Sequence, residues 1–368
     1  MTSWPAWLFG MLHATSLPEM ARCGRSRWIA FGALALMACA EDAAPRGELA
    51  TYGALRGSGI SGNGQGETIP GAEGTLTSGV WDDNQNFEHF LAFLRAGRQE
   101  LSEGLPSFGE EEHVAAQSQS AAALKAHSEL DIALLLDTTA SMGDELDYLK
   151  TELAAIAGHI QATYPGLRPR WSLVVYRDRG DAYVVRSVDF KDDLEAFRAA
   201  LAAQSAENGG DYPEAVAEAL EALARLSWRS GEQVARLAFW VADAPHHAQE
   251  AERSSRAVRS LSAKGVHLYP VASSGVDLLA ELFMRSAAQL SFGRYLFLSD
   301  DSGIGEAHRE PSIPCYFITR LDQAMRRMID VEVRGMLRPP AAEEVLRSQG
   351  EPVAGRCTLA DGSVATAF

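Results

Sequence analysis

The chain has 368 residues, 46% of them hydrophobic, and a formal net charge of −16. That length holds one large domain or two ordinary ones, with enough apolar residues for a real core. So acidic a chain repels phosphate backbones, which excludes nucleic acid as a partner; it attracts divalent cations without marking a site for them.

The N-terminal stretch reads as a targeting segment. From Met20 the sequence runs "MARCGRSRWIAFGALALMACAED", with Arg22, Arg25 and Arg27 ahead of a short apolar run. A basic start, a short apolar stretch and small residues before a cleavage point define a secretory signal. The run is too short for a membrane span. Residues 1–38 are therefore expected to be removed, with Met20 a better initiator than Met1. Leu36-Met37-Ala38-Cys39 resembles a bacterial lipobox, whose cysteine is lipidated and becomes the mature N-terminus. An ordinary cleaved signal with an incidental cysteine is the alternative. With Ala40 rather than Asp after Cys39, the lipobox reading implies a lipid-anchored envelope protein sorted to the outer membrane.

Four cysteines are present. Cys23 leaves with the signal and Cys39 takes the lipid. Cys315 and Cys357 remain as an even pair in an oxidising compartment and are expected to form a disulfide, the alternative being two buried thiols.

Residues 39–80, with "GSGISGNGQGETIPGAEG", show no apolar period and read as a lipidated flexible tether. Residues 81–128 read as a short helical region and linker: Phe87, Phe90, Leu91 and Leu94 fall at helical spacing, and the rest is polar. From residue 129 to 333 strands and helices alternate. The strands are "LDIALLLD", "RWSLVVYR", "AYVVRSVDF", "ARLAFWVAD", "VHLYPVA" and "RYLFLSD". Helices fall between them: one face of Leu146, Leu149, Leu153, Ile156 and Ile160, then Asp192–Gln204, Pro213–Leu226, Ala248–Lys264 and Val276–Leu290. This pattern predicts an α/β fold, a doubly wound and mostly parallel sheet with helices on both faces. "RWSLVVYR" and "AYVVRSVDF" are joined only by "DRGD", too short for a crossover, so they form an antiparallel hairpin at one edge. Residues 334–368 are left as a C-terminal tail.

Chemistry gathers at strand ends. After "DIALLLD" come Asp137, Thr139 and Ser141 at alternate positions, so one carboxylate and two hydroxyls face one side. Three converging oxygens suit a hard cation such as Mg²⁺. The same stretch also reads as a strand-to-helix turn capped by Ser141 or Asp144. In a doubly wound sheet, ligands bind beyond the C-terminal strand ends near the switch point. "NGGDYPEA" brings Asp211 and "FWVADAPHH" brings Asp243 to that rim.

These three loops resemble the metal-ion-dependent adhesion site of the von Willebrand factor type A domain, over residues 129–333. The family's Asp-x-Ser-x-Ser is here Asp137-Thr138-Thr139-Ala140-Ser141, a Thr keeping the first hydroxyl. Its second-loop Thr falls at Asp211, a departure. Its third-loop Asp matches Asp243. The resemblance implies a Mg²⁺ site (Mn²⁺ or Ca²⁺ as alternatives) of Asp137, Thr139, Ser141, Asp211 and Asp243. It implies a non-enzymatic protein-binding module whose ion takes an acidic side chain of a protein partner. Asp211 would hold the ion more firmly and blunt that capture. "DTTASM", "YRDRGD", "GGDYPE" and "DAPHH" look like a bacterial branch. Two other readings stand beside it: a metal-assisted hydrolase using His246 or His247, and a structural envelope protein whose metal is incidental. No GxSxG elbow or GK[ST] phosphate loop is present, and the "RGD" string reads as a hairpin turn.

Overall fold

The computed structural model describes residues 69–367, apart from 71, 73, 81–83, 85, 98–102, 211 and 312–314. The expected signal segment, Cys23, the lipidation residue Cys39 and the candidate ligand Asp211 lie outside the described residues.

The polypeptide builds one nine-stranded sheet. Its long central strands are β2 (Glu129–Asp137), β3 (Arg168–Tyr176), β5 (Val234–Ala242) and β6 (Val266–Ala272), all parallel to one another. β4 (Val185–Lys191) pairs antiparallel to β3 at one edge, as the short "DRGD" connection requires. β7 (Leu296–Ser299) runs parallel to β6 on the other side.

Alternation along β2 explains the layering. Leu130, Ile132, Leu134 and Leu136 pack into one core with α3 (Gly143–Thr163) and α8 (Leu321–Arg334). Ala133 and Leu135 point to the opposite core, with α5 (Val216–Arg225), α6 (Ala251–Ala263) and α7 (Leu278–Leu290). Each face of the strand thus buries apolar surface, which is why its sequence is an almost unbroken apolar run. α4 (Leu194–Ala202) follows β4 and starts at Asp193, whose side chain caps Ala196 N–H. The helix expected from Pro213 begins only at Val216. Glu214 is drawn into a bridge with His246 first.

Two regions depart from the sequence reading. The end of the expected tether is structural: Thr77–Val80 form β1, inserted between β7 and β8 (Tyr316–Arg320) and antiparallel to both. Leu76 N–H donates to Glu152 Oε1 at 2.7 Å and Leu321 N–H donates to Leu76 O at 2.8 Å, which fix the strand's entry. Gly79 is required there, because a Cβ would run into the Phe297 ring.

The C-terminal tail is also integrated. β9 (Arg347–Gln349) extends the sheet beyond β8, and β10 (Arg356–Thr358) with β11 (Val364–Thr366) makes a separate hairpin. Cys315 and Cys357 form the expected disulfide, joining the start of β8 to β10. Asn86, just before α1 (Phe87–Ala96), pairs through its amide with the backbone of Thr366 in β11. The polar stretch that follows includes α2 (Glu110–Ala123), which buries only Ala116 and is held by the Arg259–Glu112 ion pair at 2.8 Å. No helix among the described residues is long and apolar enough to cross a membrane.

Candidate metal centre

Chain order puts the site where the sheet reverses. From β2 the chain crosses through α3 to β3 on one side; later it returns to β5 on the other. Leu136 lies beside Val241 in the register, so Asp137 and Asp243 leave the C-terminal ends of adjacent parallel strands. This is the rim where doubly wound sheets bind ligands.

The loop after β2 is set by its own side chains. Thr139 N–H and Thr139 Oγ1–H both donate to Asp137 Oδ1, at 2.9 and 2.6 Å. Thr139 Oγ1 lies 3.2 Å from Ser141 Oγ. Thr138 faces away, donating to Tyr176 O at 2.8 Å. The alternation read from sequence therefore holds: Asp137, Thr139 and Ser141 share one side. The next turn runs straight into α3 without a side-chain cap.

Backbone pairing stitches the other loops to this one. Ala140 N–H donates to Asn208 O at 2.9 Å and Glu207 N–H to Thr138 O at 3.1 Å. Gly209 adopts φ +86°, and a Cβ there would sit 3.1 Å from Thr139 Cβ and 3.4 Å from Glu214 Oε1. Glu214 N–H donates to Pro245 O at 2.9 Å, joining the second loop to the "DAPHH" loop. A cleft of about 400 Å³ opens here, lined by Thr139, Ser141 and Asp243 and, around them, Tyr212, Glu214 and Glu306.

Three carboxylates near this cleft are buried and incompletely partnered. Asp137 Oδ2, Asp243 Oδ1 and Glu214 Oε2 each lack a hydrogen-bond donor. Burial raises the Asp137 carboxyl above the ordinary range and the Asp243 charge raises it further, against the Thr139 donors. Burial also raises Asp243; the Ser141 hydroxyl offsets part of this and Glu145 adds to it. Glu214 is pushed up to about 9 by burial and by the charges of Asp137, Asp178 and Asp243. Buried acids with orphaned oxygens are costly to ionise, so they stay protonated unless a cation offsets the charge.

The side chains that could hold an ion are oxygen donors alone, two carboxylates and two hydroxyls, which would fit Mg²⁺, Mn²⁺ or Ca²⁺ better than a soft metal. Among the described residues no three of His, Cys, Asp and Glu converge well enough to hold an ion by themselves. Glu214 thus does not complete a three-carboxylate group with Asp137 and Asp243.

The histidines serve other ends. His246 is buried and its Nε2 lies 2.8 Å from Gly104 O. His247 Nε2 lies 2.6 Å from Asp178 Oδ1. Arg179 of the "RGD" string is bound to Glu218 and Glu250. Sequence reasoning missed Glu214, three positions after Asp211, and the bridge of His308 to Glu145 and Asp300, at 3.0 and 2.8 Å. Glu145 stands in the first turn of α3 and also accepts Ser274 N–H. The only sequence signal for either was an acid in a loop or a first helical turn.

Residues 131–299 match the family model described as the von Willebrand factor A domain. This part of the chain is a von Willebrand factor A domain. Among solved structures, the A domain is similar to a conserved hypothetical protein, BatB, from Bacteroides thetaiotaomicron. That match has 15% identity and TM-score 0.38, and covers 55% of this chain and 98% of that one. It is also similar to the pilus adhesin SpaC from Lactobacillus rhamnosus GG in its open conformation. There the identity is 13% and the TM-score 0.37, over 49% of this chain and 29% of that one, so the match spans less than a third of SpaC. No curated protein matches the chain in sequence.

Proposed function

We propose that the A domain is a non-enzymatic binding module of the bacterial cell envelope, capturing a protein partner through a divalent cation, Mg²⁺ first. Asp137 and Asp243 hold the ion directly or through water, with Thr139 and Ser141 as neutral ligands and Asp211 as a further donor. The observation that supports this most is the pair of buried, half-partnered carboxylates of Asp137 and Asp243 at adjacent strand ends, beside two hydroxyls and an open cleft. Neutral hydroxyl ligands leave much of the ion's charge uncompensated, and water on its open positions can exchange for an acidic side chain of a partner. That exchange gives metal-gated binding with no covalent step. Cys39 would anchor the protein by a lipid, with the residues before β1 as a spacer.

The test is capture from envelope extract in Mg²⁺ and in EDTA, with Asp137→Ala as control. The reading expects a partner retained only with Mg²⁺ and only by the unsubstituted protein. Equal retention by all three would leave the ion incidental. Radiolabelled palmitate incorporation, lost in Cys39→Ala, tests the anchor.

A further inference from the structure

We infer that the cavity between α2 and the C-terminal hairpin binds a small organic acid, a carboxylate on an apolar body, with Arg294 receiving the carboxylate and Arg356 on the exposed wall. The cavity measures about 710 Å³, a size that suits one drug-sized molecule. It stands apart from the ion loop, because Arg294 precedes β7 and the metal rim lies beyond the far ends of the parallel strands.

Charge supplies the first argument. Arg294 and Arg356 both line the cavity, and among its described lining residues there is no Asp or Glu. The whole chain carries −16, so this cavity has the opposite sign to the protein at large.

The state of Arg294 supplies the second. It is 3% exposed and forms no ion pair with a described residue. Its Nη1 donates to the Tyr269 hydroxyl at 3.3 Å and to Phe292 O at 3.4 Å, both long bonds. Nε is sealed from solvent without an acceptor and is out of a ligand's reach. Nη2 also lacks an acceptor among the described residues, yet it is not sealed; through it Arg294 meets the cavity. The buried acid Glu332 accepts from Tyr269 and lies 2.8 Å from His267 Nδ1, so it faces Arg294 across the Tyr269 hydroxyl. A carboxyl so placed could take up a proton and lose its charge. A guanidinium keeps its charge and gains from an anion brought to it.

The walls are apolar and braced. Leu124, Leu337, Pro339 and Val364 offer a surface to the ligand's body. The hairpin is held by the Cys315–Cys357 bond next to Arg356 and by Asn86 on Thr366, so little ordering cost falls on binding. Of the described lining residues, Arg294 alone falls within 131–299, so the site is built from what this chain adds to the A domain. Glu332 already offsets part of the Arg294 charge, and a carboxylate monoanion therefore matches the site better than a phosphate dianion.

The experiment titrates the full chain by calorimetry with 2-naphthoate and with octanoate, each beside its uncharged carboxamide. EDTA is present so that no metal ion can take the carboxylate. At least one acid is expected to bind once per chain, about tenfold tighter than its amide. Arg294→Gln should bring that ratio close to one. Ala121→Trp, an exposed substitution that fills the cavity from α2, should remove binding of acid and amide alike and leave the circular dichroism unchanged; it decides alone if Arg294→Gln does not fold. Equal binding of acid and amide would overturn the inference, as would no saturation by either acid at millimolar concentration. An acid preference that persists in Ala121→Trp would also overturn it. Binding that appears only when Mg²⁺ replaces EDTA would put the carboxylate at the ion loop, which overturns the cavity site and leaves the metal reading standing.

Discussion

Thr139 gives both its hydroxyl and its backbone N–H to one oxygen of Asp137, at 2.6 and 2.9 Å, and the second oxygen is left without a donor. The hydroxyl proton is spent on Asp137, so the lone pairs of Thr139 Oγ1 remain for a cation. Thr139→Val is nearly isosteric but removes both roles. It should weaken Mg²⁺ binding at least about tenfold by isothermal titration, whereas Thr139→Ser keeps most of the affinity. Unchanged affinity in Thr139→Val would remove the hydroxyl from the ligand set.

Glu152 carries an unfavourable burial. Its carboxyl is raised to about 8 by burial and by nearby Asp322, against the Leu76 N–H and Arg320. The folded state therefore holds this proton more tightly than the unfolded chain. Stability is undiminished below the unfolded value near 4.5 and is lost as pH rises through about 8. Glu152→Gln keeps an acceptor for Leu76 and removes the charge. It should stabilise the protein by about 2 kcal/mol at pH 8.5 and hardly at all at pH 4. Thermal melts at the two pH values check this; destabilisation at pH 8.5 would contradict it.

His308 works with the same sign by a different cause. Burial disfavours its charge, but Asp300 and Glu145 outweigh burial and hold it up at about 9, from an ordinary 6.5. Protonated His308 stabilises fully below pH 6.5, and that contribution is lost as pH rises through about 9. His308→Gln should lower the melting temperature at pH 6 and flatten its decline between pH 7 and 9. A variant with the parent's slope would show that the bridge is not titrating.

The Cys315–Cys357 bridge spans 42 residues and ties the C-terminal hairpin to the sheet. Cys315→Ser with Cys357→Ser should cost about 3 kcal/mol in denaturant unfolding. Limited proteolysis should cut first around Arg356, because the hairpin then relies on the Asn86–Thr366 pairing and its packing. A hairpin as resistant as in the parent would mean that packing alone secures it.

Much of the fold was legible because the long strands declare themselves. "DIALLLD" serves two cores at once, as a central strand of a sheet covered on both faces does. β1 was not legible: "TSGV" is four small residues with no apolar period, and its place depends on the Leu76–Glu152 bond and on Phe297 needing a glycine opposite. β9 and the β10–β11 hairpin are three-residue strands fixed by partners far away in sequence. The grouping of Asp137, Thr139 and Ser141 on one side was legible from their alternate spacing, and the place of Asp243 from the end of the neighbouring strand. Glu214 was not, since its burial comes from pairing with Pro245 and His246 on another loop.

Direct titration of Mg²⁺ and Mn²⁺ into the metal-free protein, beside Asp137→Ala and Asp243→Ala, tests the central claim most directly. The account expects saturable binding of one ion per chain, lost in both variants, which keep the parent's far-ultraviolet circular dichroism. Binding that survives both substitutions, or no binding by the parent at millimolar metal, would contradict it.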